Sequence, residues 1–469
     1  MNQELIKKID ELIDADRANI AADVIKLVNI RSVREEPLPG APFGAGPRKV
    51  LDTVLEMGAE RGLETFFYDK AAVASVALKP GEIDLGVWAH GDVVHEGIGW
   101  IYEPYNAIEY KGCIIGRGAT DNKGQLVAIL RLLEIFKKLG VELKFNPALY
   151  IGSNEESGMG DMIGVPGNED AQGFINVYKC PKLSLVPDGG FPVGYGGKGA
   201  VRATIRAKTP WEGIKMIAGQ TAAPGLAEVW FKTLKDCPDM EDCIVERGEV
   251  LKVTAESAPI HTSKPKAEGN MVTMITKALL DNNLLSENDA KKAEFLNMAS
   301  LDVAGEKFGV AAGGGKTGNL TFALVSVSDV DGKPEFGVNI RYPIETTFEK
   351  VTEQLSAFAE ENGFELVAAN RGVSAYILDP EWDVIKVLNQ VSNDVTGEDK
   401  APYTLGGGTY AHRLPNALVY GMNGNRPPED FPKGHGGAHG KDECVSLDRL
   451  QRAMRINARA FLALNEMDW

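Results

Sequence analysis

A small set of acidic and histidine residues is scattered along this chain, each beside a short apolar run. Ile83–Ala89 runs into His90-Gly91-Asp92, and Gly116-Arg117-Gly118-Ala119-Thr120-Asp121 opens a helical stretch. Ala148–Ile151 leads to Glu155-Glu156, Leu183–Val186 leads to Asp188, and His439 sits in a glycine-rich loop near the C-terminus. Two imidazoles and three or four carboxylates of this kind suit a pair of divalent cations, and a fold does not bury so many like charges without them. His90 and Asp92, two apart on an extended segment, point to one side of the chain. A metal-bound imidazole usually donates its other N–H to a carboxylate, a part that suits Asp92. In Glu155-Glu156 one carboxylate can bind metal while its neighbour, facing differently, takes a proton from water. Each residue also has a plainer reading. Adjacent glutamates are common on solvated helix faces, Asp121 can serve as a helix N-terminal charge, Asp188 can be a turn residue, and His95 lies in a glycine-containing loop that suggests exposure.

The elements around these residues favour the joint reading. Helical spacing runs from about Glu4 to Asn29, over Arg48–Arg61, and over Leu126–Leu139 with its stop at Gly140. Ala72–Leu78, Asp84–Ala89, Ala148–Ile151 and Leu183–Val186 read as strands. Strands alternating with helices predict an α/β layer architecture with a mostly parallel sheet. His90, Glu155, Glu156 and Asp188 then all follow the carboxyl ends of strands, where open α/β sheets bind ligands.

The pattern changes after Phe191–Gly197. Ala200–Arg206, Leu320–Ser328 and Phe336–Tyr342 alternate as half-exposed strands, the last two joined by a turn at Asp329–Pro334. Helices are expected at Trp211–Ala218 and Phe348–Asn362. The middle therefore reads as an α+β domain with an antiparallel sheet. From Leu378-Asp379-Pro380 onward come a helix (Trp382–Val391), a glycine loop (Leu405–Thr409), a strand (Ala417–Tyr420) and a long helix (Ser446–Asn465). We read this tail as the return of the first domain. The expected division is 1–193 and 379–469 for the first domain and 194–378 for an insertion.

Composition narrows the classes of function. At 469 residues, 44% hydrophobic and 25% charged, the chain has the make-up of a globular protein of more than one domain. Lys and Arg number 50 against 66 Asp and Glu, a formal charge of −16, which argues against nucleic acid or an anionic membrane as partner. The five cysteines form no Cys-x-x-Cys pair, so neither a disulfide framework nor a structural zinc site is indicated and a reducing cytoplasm is expected. The N-terminus reads as a polar amphipathic helix rather than a signal peptide, and no run is long enough to span a bilayer.

In order along the chain, His90-Gly91-Asp92-Val93-Val94, Gly118-Ala119-Thr120-Asp121-Asn122-Lys123-Gly124, Asn154-Glu155-Glu156-Ser157-Gly158, Pro187-Asp188, Gly406-Gly407-Gly408-Thr409-Tyr410 and Ala438-His439…Asp442-Glu443 resemble the successive signatures of the dinuclear zinc peptidases and deacylases, the family of carboxypeptidase G and aminoacylase. Length and the Glu443-Cys444 ending most resemble its bacterial dipeptidase branch. The resemblance implies a catalytic domain of zinc-exopeptidase type, helices on both sheet faces, interrupted by an α+β lid. It implies two Zn²⁺, with Mn²⁺ or Co²⁺ as substitutes. Asp121 would bridge them, with His90 and Asp188 on one and Glu156 and His439 on the other. Glu155 would be general base and Asp92 would orient His90. A cis peptide would follow the bridging aspartate. Ile260-His261-Thr262-Ser263-Lys264-Pro265 resembles the lid motif whose histidine reaches the scissile carbonyl oxygen, and Phe336–Pro343 the strand whose arginine, here Arg341, grips a substrate carboxylate. Gly407, Gly408 and Thr409 fall in a substrate-binding stretch. Gly219–Pro224 lacks the asparagine usual in the family's lid. His435, four residues before His439, is the rival ligand, and the string around His439 favours the latter. The implied activity is hydrolysis of small peptides with a free C-terminal carboxylate by a monomer in the cytoplasm. The alternative is deacylation of N-acyl amino acids of the acetylornithine or succinyl-diaminopimelate type.

Overall fold

A computed structural model describes residues 2–158, 170–219, 225–233, 236–240, 242–257, 265–267, 269–422 and 427–469. The chain divides into two compact units. One comprises Met1–Gly196, Ile377–Thr404 and Thr409–Trp469, the other Gly197–Tyr376 and Leu405–Gly408.

In the first unit six strands of the main sheet lie in the order Glu64–Tyr68, Val73–Ala77, Pro147–Gly152, Leu85–His90, Leu183–Val186, Ala417–Val419. The last four are mutually parallel, and the two at the edge are antiparallel. Every residue of Leu85–His90 and of Pro147–Gly152 is buried, as expected of central parallel strands covered on both sides. The period of two sorts their side chains. Val87, Ala89, Leu149 and Ile151 enter a core shared with the helices Gln3–Ala15, Arg17–Val28, Ala45–Glu60, Gly124–Leu139 and Leu447–Leu464. Trp88 and Tyr150, on the opposite face, stack at 4.4 Å and 6° and meet Phe174 of the helix Asp170–Val177. Such ring pairs add about 0.5–1.5 kcal/mol beyond their buried area.

The expected helix from Glu4 to Asn29 is two helices, Gln3–Ala15 and Arg17–Val28, parted at Asp16. Asn2 caps the first, accepting from the amides of Glu4 and Leu5. Gly140, at φ +61°, ends Gly124–Leu139 in the left-handed conformation that glycine adopts freely. Between the helices Asp23 and Glu134 hold Arg61 and Arg131 at 2.6–3.0 Å, a buried network in which each charge has its counter-charge.

The second unit is built on an eight-stranded sheet, ordered Ile244–Arg247, Leu251–Ser257, Gly225–Phe231, Ile214–Gly219, Thr321–Val330, Lys333–Tyr342, Gly199–Ala207, Phe364–Arg371, antiparallel throughout. Val201, Ile205, Phe322, Val338 and Ile340 turn one face into the core, with residues of the helices Met271–Asp281, Glu287–Leu301 and Phe348–Glu361. The helix expected at Trp211–Ala218 is a strand. Ile214, Met216 and Ala218 are buried and alternate with exposed Lys215, Ile217 and Gly219, a period of two, and Gly225–Phe231 pairs along its whole length. Among the described residues no helix is long and apolar enough to cross a membrane.

Candidate metal centre

The parallel strands deliver the acidic and histidine residues to one place. His90 is the last residue of Leu85–His90, Glu155 and Glu156 open a single helical turn just after Pro147–Gly152, and Asp188 follows Leu183–Val186. Asp121 lies in the turn Ala119–Lys123, where its own backbone departs from helix (φ −127°, ψ 86°), and the Asp121–Asn122 peptide is cis. His439 has a left-handed backbone, φ +59°.

Among the described residues two groups offer ligand atoms that all lie within 4.8 Å of one another: His90, Asp121 and Asp188, and Asp121, Glu156 and His439. Asp121 belongs to both. One of its oxygens is 3.0 Å from His90 Nε2 and the other 3.1 Å from His439 Nε2, which is also 3.1 Å from Glu156 Oε2. The opposite edges of one carboxylate thus face two different imidazoles.

The electrostatics of this cluster call for added positive charge. Burial, then the nearby Asp188 charge, pushes the Glu155 carboxyl well above its usual range. Burial and the Asp121 charge raise Glu156, and the same pair of causes brings Asp188 up to about 7. Burial also works against Asp121, but hydrogen bonds from His439 and His90 outweigh it and hold that carboxyl far below the normal value. His439 is raised to about 11 by its hydrogen bonds to Asp121 and Glu156. The buried Oε1 of Glu156 has no hydrogen-bond partner among the described residues. Imidazole nitrogen with carboxylate oxygen is a donor set that fits Zn²⁺ or a similar first-row dication, and such an ion satisfies the spare oxygen and the excess charge together.

A surrounding set of carboxylates fixes the geometry. Asp92 does more than the sequence suggests. Its carbonyl oxygen, 3.0 Å from His90 Nδ1, is nearer that ring than its carboxylate at 3.6 Å. The carboxylate instead accepts the amides of Glu155 and Glu156, each at 3.0 Å, so one residue sets a histidine and both glutamates. Asp170 accepts the amides of Ser153 and Asn154 at 2.6 and 2.8 Å and the Tyr410 hydroxyl at 2.6 Å, bracing the loop that ends in Glu155. Glu443 accepts the amides of Thr120 and Asp121 on one oxygen and of Gly118 on the other, each at 3.0 Å, with Arg117 Nη1 at 2.6 Å. Arg117 also reaches the carbonyl of His439 at 3.3 Å. Asp170 and Glu443 went unassigned from sequence. Glu443 stands within the quoted C-terminal string, whereas Asp170 gives no local sign beyond a helix start.

Glu443→Gln therefore loosens the loop that carries Asp121. The expected result is a drop in metal affinity of about 10- to 100-fold, the usual cost of losing a group that orients ligands. It is measured by zinc competition against a chromophoric chelator, and unchanged affinity contradicts this role.

The remaining expected site residues lie elsewhere or have other partners. His261 and positions 220–224 lie outside the described residues. Arg341 is on Lys333–Tyr342 of the second unit, and Gly407 and Gly408 are half-buried in the loop that groups with that unit. Thr409 begins a short turn, its hydroxyl accepting from Ala411 N while His412 Nδ1 accepts from Thr409 N. His435 is turned to Asp442, whose other carboxylate oxygen holds the amides of Ile101 and Tyr102, so it belongs to neither ligand group. His95 is exposed beside Glu96.

At the strand ends lie two candidate ligand groups that share one aspartate, a donor set suited to divalent metal. Residues 86–463 match the model of peptidase family M20/M25/M40, and the chain belongs to that family. A "putative dipeptidase" of Staphylococcus epidermidis is 27% identical over 471 residues, covering 94% of this chain and 96% of its own. Human carnosine dipeptidase 1 shares the fold with a TM-score of 0.60 at 14% identity, over 99% of each chain. The di-peptidase Dug1p of Saccharomyces cerevisiae does so with a TM-score of 0.60 at 15% identity, again over 99% of each chain.

Proposed function

We propose that the protein is a dipeptidase that hydrolyses small peptides with a free C-terminal carboxylate. The observation that carries this reading is the pair of ligand groups sharing Asp121 in a chain of peptidase family M20/M25/M40. The dipeptidase names of its full-length relatives support the substrate class. Asp121 would bridge two divalent cations, zinc by choice of ligands, with His90 and Asp188 holding one and Glu156 and His439 the other. When bound, such ions acidify water and polarise a carbonyl.

Glu155 is the general base. Its own side chain belongs to neither ligand group, and burial, then the Asp188 charge, pushes its carboxyl well above the usual range, the direction that makes a carboxylate a better base. It takes the proton of the attacking water as oxygen bonds to the carbonyl carbon, then gives it to the leaving nitrogen as the C–N bond breaks. Asp92 positions it through the amide it anchors. His261 is assigned to the oxyanion, Arg341 to the substrate carboxylate, and Gly407, Gly408 and Thr409 to the substrate backbone. The same reading makes the protein a cytoplasmic monomer.

Hydrolysis of unblocked dipeptides is compared with that of acetylated amino acids on the zinc-loaded protein. Dipeptide turnover should dominate. Preferential release of acetate instead makes the protein a deacylase using the same centre.

A further inference from the structure

The segments that carry His90, Glu156, Asp121 and His439 are tied down by groups outside the two ligand sets. Asp92 anchors His90 and Glu156, Glu443 anchors Asp121, and Arg117 reaches the carbonyl of His439. The turn that carries Asp188 has anchors of its own, on residues to which the proposed reaction gives no part. The carbonyl of Pro187, just before Asp188, accepts from Asn122 Nδ2 at 3.2 Å. Gly190, just beyond Gly189, is held at both of its backbone groups by one side chain. Its N–H donates to Tyr403 Oη at 2.7 Å, and the Tyr403 hydroxyl donates back to its carbonyl at 2.7 Å. A hydroxyl has one proton to give and lone pairs to accept with, so both bonds form at once.

Packing presses the turn onto the same residue. A Cβ on Gly189 would lie 2.1 Å from Val419 Cγ1 and 3.1 Å from Tyr403 Oη, so the backbone there rests against both side chains with no room for a third. Tyr403 is itself fixed, since its amide donates to the carbonyl of Val193 at 2.9 Å. Burial raises its hydroxyl above the ordinary value, so the group keeps the proton that it donates to Gly190. Asp188 therefore sits on a span, Pro187–Gly190, fastened at both ends. Metal and catalytic sites need their groups held to within about 0.5 Å, and this fastening is what the Asp188 carboxylate has for the purpose.

We propose that Tyr403 is a positioning residue of the metal centre: through Gly190 it fixes the turn of Asp188, and so sets the affinity of the metal held by His90, Asp121 and Asp188 without touching that of its neighbour. The proposal rests on the two-metal reading of the site.

The test is a zinc titration of chelator-stripped protein, wild type against Tyr403→Phe, in competition with a chromophoric chelator. The variant keeps the ring and loses only the hydroxyl. One of the two binding steps should weaken by about tenfold, at the lower end of what losing a group that orients a ligand costs, and the other should keep its affinity. The weakened step should be the one that Asp188→Asn abolishes. Two unchanged steps, two steps weakened alike, or weakening confined to the other step overturns the role of Tyr403 and leaves the two-metal reading standing. A wild type that takes up fewer than two equivalents sinks that reading, and this proposal with it. If Tyr403→Phe does not fold, hydrogen exchange at the Gly190 amide of the wild type decides the matter. Slow exchange in the stripped protein, unchanged by zinc, upholds the proposal. Exchange that is fast without zinc overturns it.

Discussion

Glu155→Ala is expected to lower turnover by about 10³-fold, within the range that general bases contribute. Metal content should stay at the wild-type level, because both ligand groups are complete without Glu155. The backbone amide of residue 155 still bonds Asp92 in the variant, so the helical turn that presents Glu156 keeps its anchor. Single-turnover kinetics together with metal analysis of the same sample read both quantities. Residual hydrolysis within about tenfold of wild type removes Glu155 as the base, and a loss of metal makes it a ligand instead.

Asp121→Ala is expected to have the widest effect of any single change. Both ligand groups contain this residue, and its two oxygens meet His90 and His439 separately. Its loss removes a shared ligand and leaves two histidines facing a gap. Zinc affinity should fall by more than about 100-fold, beyond what the loss of an orienting neighbour costs, and turnover should disappear with it. Equilibrium dialysis against buffered zinc measures the first and a dipeptide assay the second. Retention of two tightly held zinc ions denies Asp121 the bridging place.

The parts of the site that were legible in the sequence share one physical property. His90 ends, and Glu155, Glu156 and Asp188 follow, short strands that are mostly apolar and buried throughout, so local hydrophobicity places them at the carboxyl ends of one sheet. What holds them there could not be read the same way. Glu443 bonds the amide of Gly118 across 325 positions, and Tyr410 reaches Asp170 across 240. Partners so distant in sequence leave no periodicity to detect. The carboxylate of Asp92 was expected at an imidazole two residues away and bonds instead to two amides more than sixty residues on, because the parallel pairing of His90 with Gly152 sets the two strand ends side by side. In the second unit Trp211–Ala218 is a strand rather than the expected helix, because Ile214, Met216 and Ala218 mark a strand only together with the partner Gly225–Phe231. Single helical turns and short strands of six residues leave too few apolar positions to tell the two periods apart.

The central claim is that Asp121 joins two metal sites into one catalytic centre. It is tested by stripping the protein with chelator and titrating zinc back while following hydrolysis of an unblocked dipeptide in the same samples. The stripped protein should show no turnover, and activity should reach its plateau only as the second equivalent of zinc is bound. Full activity without metal, or a plateau at one equivalent, would contradict it.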